Sequence, residues 1–177
     1  MTLILRRVTK PRWLKDDENL RWLARDEPQA DALRDLGTRG NKLSVWLVAD
    51  DKTNLNDVVV ALISTGDLVS HFDYVLVEYN VLEKLGVMIE NAEGETPYEQ
   101  ANKWHINLSE LSAVKLLQLA REVQSGSPPA RISAQAIKQL FINAINDGKI
   151  KIDQIPKPEL KTWVKAEIEN LNRASQQ

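Results

Sequence analysis

The stretch 43–79 opens with Leu43-Ser44-Val45-Trp46-Leu47-Val48-Ala49 and closes with Asp73-Tyr74-Val75-Leu76-Val77-Glu78-Tyr79. The first run is apolar and β-rich and lies between Gly40 and Asp50-Asp51, the profile of a strand buried on both faces. Between the runs, Leu55, Val58, Val59, Leu62 and Ile63 recur at helical spacing, with Thr53 or Asn54 as cap and Gly66 as terminator. A strand, a helix and a second strand make a β-α-β unit, whose two strands can pair in parallel through a right-handed crossover.

Outward from this unit, Leu3 to Val8 reads as a strand that Pro11 ends or marks as an edge. Asp16 caps a helix with Leu20 and Leu23 on one face, and Pro28 opens another that ends at Gly37. Asn80 to Gly86 reads as a short helix, Val87-Met88-Ile89 as a strand and Glu90 to Glu95 as a turn. Thr96-Pro97-Tyr98-Glu99 has the form of a capping box with proline at the first helical position. Trp104 to Leu108 is a short strand, followed by a long helix over 109–124. Ser133 caps a helix stapled by Ile132 and Ile137, and Pro158 opens the last one, with Leu160, Trp163, Val164, Ile168 and Leu171 on one face.

These elements predict an α+β or α/β fold. It has a small mixed sheet of three to four strands, two of them parallel (43–49 and 73–79), covered by helices, with helix exceeding strand. Residues 1–124 form the mixed body, 125–130 a linker, and 131–177 a helical hairpin packing on the body.

With 177 residues, no cysteine, 43% apolar residues and a net charge of −2, the chain suits one globular domain or two small ones. No run approaches the roughly 18 apolar residues of a membrane span. Arg6 and Arg7 follow Leu5 too soon for a signal-peptide core of about 7–15 residues, so the expected location is cytoplasmic. The charge is unevenly spread. Residues 1–15 carry five bases and no acid, residues 43–110 twelve acids against three bases, and residues 111–177 ten bases against six acids. Such asymmetry bears on partners rather than on fold.

The scattered glycines form neither a P-loop nor a G-x-G-x-x-G motif, and no G-x-S-x-G is present. With two histidines, a Ser-His-Asp arrangement would need His71 or His105 and a serine supplied by tertiary structure. His71, Asp73 and His105 have the residue types of a two-histidine, one-carboxylate iron site, whereas the many helical segments argue against the all-β barrel that usually houses one. Asp50 and Asp51 end the first strand of the unit, and Glu78 closes the second. Together they are the candidate set for magnesium and phosphoryl-transfer or nuclease chemistry, beside the plainer reading of acids at a helix start.

The leading expectation is a non-catalytic interaction or regulatory module, an accessory or immunity-type subunit without cofactor or metal. Its acidic middle segment and exposed tryptophans meet a protein partner or a second copy of the chain. Trp13 and Trp22 with Arg6, Arg7 and Arg12 are the candidate partner-binding residues. The alternative is nucleic-acid binding by the basic N-terminal arm and the basic C-terminal helices, through Lys149, Lys151, Lys157, Lys161 and Lys165.

Overall fold

The computed structural model describes residues 2–9, 27–66, 69–126 and 129–174. Six strands, β1 (Thr2–Val8), β2 (Leu43–Ala49), β3 (Phe72–Glu78), β4 (Met88–Asn91), β5 (His105–Ser109) and β6 (Ala130–Ile132), form one sheet in the order β4-β5-β2-β1-β3-β6. Among the described residues the α-helices are α1 (Ala30–Asp35), α2 (Leu55–Ser64), α3 (Tyr79–Lys84), α4 (Glu99–Asn102), α5 (Ala113–Ser125), α6 (Ala134–Asn146) and α7 (Pro158–Ala174), with a 3-10 turn over Ile152–Gln154. The α+β class holds, and helix outweighs strand among these residues. None of the described helices is long and apolar enough to cross a membrane.

The sheet itself corrects the sequence reading: it has six strands rather than three to four, and it is antiparallel rather than mixed. β2 and β3 do not pair. β1 lies between them, antiparallel to both, so that Ile4 faces Leu47 on one side and Val77 on the other. A β-α-β pattern shows that two strands point the same way, but a third strand from elsewhere in the chain can fill the gap between them. The most N-terminal strand does so here, in an interior place where its neighbours on both sides satisfy its backbone. β5 is interior too, paired with β2 and β4, while β4 runs on through Asn91, where a turn was expected. β6 occupies the end of the expected linker.

Local signals fared unevenly. Ser133 Oγ accepts from Ala136 N–H at 3.2 Å, the expected cap of α6. α5 starts at Ala113, capped by Ser112, because Glu110 has a φ of +53° that no helix allows. The box at Thr96 is rewired: α4 begins only at Glu99, and it is Asn102 Oδ1 that accepts from Thr96 N–H (3.1 Å) and Oγ1–H (2.7 Å).

The chain divides into two compact units. Unit 1 comprises Met1–Thr53, Asp73–Glu93 and Trp104–Arg131. In it, one sheet face presents Ile4, Val8, Val45, Val75, Val77, Ile106 and Leu108 to Ala32 and Leu36 of the α1 segment, Leu82 of α3, and Leu119, Ala120 and Val123 of α5. Each buried valine, leucine or isoleucine among these stabilises the fold by roughly 1.5–3 kcal/mol.

Unit 2 comprises Asn54–Phe72, Gly94–Lys103 and Ile132–Gln177. α2 packs on α4 and α6, and its buried residues Val58, Val59, Val60, Ala61 and Ile63 exceed the single stripe read from its periodicity. Ile137, Phe141, Leu160 and Val164 are fully buried, and the Phe141 and Trp163 rings lie 6.5 Å apart. Gly148, with φ +70°, ends α6 in the left-handed conformation that glycine adopts without strain, and the N–H of Lys149 returns to Ala144 O at 2.9 Å.

Candidate functional site

The partner-binding candidates separate at once, since Arg12, Trp13, Trp22 and the helix expected after Asp16 lie outside the described residues. Arg6 points into unit 1. Its Nε donates to Asp35 O (2.9 Å) and its Nη1 to Ser44 O (2.7 Å), and burial pulls its pKa below the usual value against the opposing pull of Asp35. The buried Asp35 carboxylate also accepts from Thr9 N–H (2.9 Å) and Oγ1–H (2.5 Å), which ties the end of β1 to α1. Arg7, one residue on, projects from the opposite sheet face and is exposed. Trp46 is buried, whereas Trp104 and Trp163 are half-buried.

The carboxylate candidates do not converge. Asp50-Asp51 and Glu78 end strands separated by β1, and Asp51 is engaged locally, accepting from Thr53 N–H (3.1 Å) and Oγ1–H (2.9 Å). Those bonds hold its carboxyl below the usual carboxylate range. Asp73 is clamped by Arg131, whose Nε and Nη2 reach its two oxygens at 2.7 and 2.8 Å. No group of three metal-ligating side chains forms among the described residues.

Tertiary structure does supply His105 with a serine. Ser44 on β2 and His105 on β5 share a sheet face, and Ser44 Oγ lies 2.5 Å from His105 Nε2. His105 Nδ1 lies 2.6 Å from Ala92 O. A carbonyl can only accept, so in the neutral imidazole Nδ1 carries the proton and Nε2 accepts from the serine hydroxyl. The Trp46 ring meets the imidazole edge-on at 5.3 Å. A hydroxyl beside an imidazole acceptor is the first half of a nucleophilic arrangement; the third member is a backbone carbonyl in place of a carboxylate. Lys42, just ahead of β2, places Nζ 2.5 Å from Glu90 Oε2 of β4, which lowers the Glu90 pKa.

Two further surfaces bring together residues that the sequence reading does not group, although Lys151, Lys161 and Lys165 of the second are among its nucleic-acid candidates. The first lies in unit 1 on α5, which packs on both α1 and α3. Val114 is 65% exposed on the face turned away from Leu119, Ala120 and Val123, and Leu117 stands one turn on. Leu33 on α1 and Met88 on β4 are exposed as well, and Lys115 Nζ reaches back to Gly86 O (2.6 Å), just ahead of β4. Which apolar positions of α5 face solvent depends on where α1 and α3 pack against it.

The second is a groove of about 580 Å³ in unit 2, formed by the end of α6, the 3-10 turn and the start of α7. Ile145, Ile150 and Ile152 line it together with Lys151, Lys161, Lys165 and Asp153. Elsewhere in unit 2, Tyr98 donates its hydroxyl to Asp57 Oδ1 (2.7 Å), and Lys149 Nζ approaches the same oxygen at 3.3 Å. Burial, then the Asp57 carboxylate, push the Tyr98 phenol up to about 12, while the bond to Asp57 raises the Lys149 pKa.

No family model, curated protein or solved structure matches this chain.

Proposed function

We propose that this protein is a non-catalytic interaction module of the cytoplasm, a regulatory or accessory subunit that binds a protein partner through the outer face of α5. The observation that carries the reading is the grouping of exposed apolar side chains. Val114 and Leu117 stand a turn apart on the outer face of α5, and Leu33 is exposed on α1, which packs against α5. Single exposed leucines are ordinary, but a cluster bounded by charged residues has the layout of an interface core with a polar rim. That rim is available in the exposed Glu83, Glu110, Glu122, Lys84 and Arg121. Glu83 and Glu110 belong to the acidic segment 43–110 read from the sequence and favour encounter with a basic partner surface.

The test is affinity capture from the native source with wild type and with Val114→Asp/Leu117→Asp, beside light scattering of the purified protein. A partner, or a second copy, retained by wild type and lost from the double variant supports the reading. The same set of proteins captured by both would sink it. Both positions are exposed, so the variant should keep its thermal midpoint.

A further inference from the structure

The groove in unit 2 has chemistry that the α5 surface lacks. α6 ends at Gly148, the chain reverses through Ile150, and the 3-10 turn sets Lys151 and Asp153 opposite the first turns of α7. Lys161 and Lys165 are four residues apart, so both ammonium groups stand on the groove side of α7, roughly 6 Å apart along its axis. Lys161 Nζ gives one of its three donors to Asp153 O at 2.9 Å and keeps two. No ion pair among the described residues neutralises Lys151 or Lys165. Three cations against one carboxylate thus surround a floor of three isoleucines.

We infer that this groove docks an acidic amphipathic helix of a protein partner. Two carboxylates four residues apart on that helix match the spacing of Lys161 and Lys165, and an apolar side chain between them enters the Ile145–Ile150–Ile152 floor. A nucleic acid fits less well. No aromatic side chain lines the groove for a base to stack on. The inference shares with the α5 reading only the premise that the partner is a protein, and it uses none of the same residues.

The probe is a short labelled helical peptide with two glutamates four positions apart and leucines on the same side, followed by fluorescence anisotropy on the full chain. Its glutamine counterpart and a single-stranded oligothymidylate are run beside it. The glutamate peptide should saturate with a Kd on the order of 100 μM at low salt, weaken as salt is added, and lose about tenfold in affinity against Lys161→Glu/Lys165→Glu. Lys161→Ala/Lys165→Ala serves as a milder second variant if the charge reversal perturbs folding. Val114→Asp/Leu117→Asp should bind the peptide as wild type does, so that failure of the α5 reading leaves this result standing. Absence of saturable binding, equal binding of the glutamine peptide, equal binding by both lysine variants, or tighter binding of the oligothymidylate would each overturn the proposal.

Discussion

Replacing Tyr98 by Phe removes one oxygen from unit 2 and nothing from its packing, because the ring is only 2% exposed and phenylalanine fills the same space. What is lost is the 2.7 Å bond to Asp57 Oδ1. The phenol is held up to about 12 from its ordinary value of 10.0, first by burial and then by the carboxylate. At pH 8 the phenol is neutral in both states, so the cost is that of one hydrogen bond to a carboxylate, and because Asp57 and Lys149 are each about a third exposed it should be about 1–2 kcal/mol. The sign follows from which state ionises first. Above pH 10 the unfolded chain gives up this proton while the native one keeps it, so stability is complete below about 10 and falls as pH rises toward 12. Urea unfolding at pH 8 should find Tyr98→Phe destabilised by about 1–2 kcal/mol, and the gap should narrow above pH 10. Tyrosinate absorbance, taken as wild type minus variant, should titrate with a midpoint near 12. A variant as stable as wild type at pH 8, or a difference midpoint at the ordinary value, would refute the reasoning.

Other outcomes can be checked independently. Ser112→Ala and Ser133→Ala each remove an N-cap acceptor, from Lys115 N–H and Ala136 N–H respectively, and should each cost about 0.5–2 kcal/mol in denaturant unfolding. Gly148→Ala forces a Cβ into a backbone with φ +70° and should cost about 1–2 kcal/mol, although nothing lies within 4 Å to clash with it; a neutral result would contradict the left-handed turn. Nitrogen-15 spectra should find the His105 proton on Nδ1, as its contact with Ala92 O requires, and the other tautomer would undo the assigned direction of the Ser44 bond.

How much of this was legible in the sequence depends on the range of the interactions that decide each feature. Periodicity and caps are local, and they located β2, β3, α2, α6 and α7 to within a few residues, including the Ser133 cap. Capping boxes are local as well, yet Asn102 took the place that Glu99 was expected to fill, since a side chain six residues on offered Thr96 the better acceptor. The candidate sites were legible as residue types only. His105 was marked as an imidazole in need of a serine, but Ser44 lies 61 residues away and meets it only because β2 pairs with β5. Arg6 read as part of a basic arm, while the fold turned it inward to two backbone carbonyls.

By itself, then, the sequence determined the class, the larger helices, the interior strands of the central unit and the excess of acid over base in the middle of the chain, because each is set by neighbours within one or two turns of chain. The tertiary structure alone decided the strand order, with β1 inserted between β2 and β3, and with it the antiparallel sheet. It alone left Val114 and Leu117 in solvent and set Lys151 across from Lys161 and Lys165. Strand partners are chosen by hydrogen bonds and apolar contacts between distant residues, and exposure by what those residues leave uncovered, and neither quantity is carried by any window of neighbouring residues.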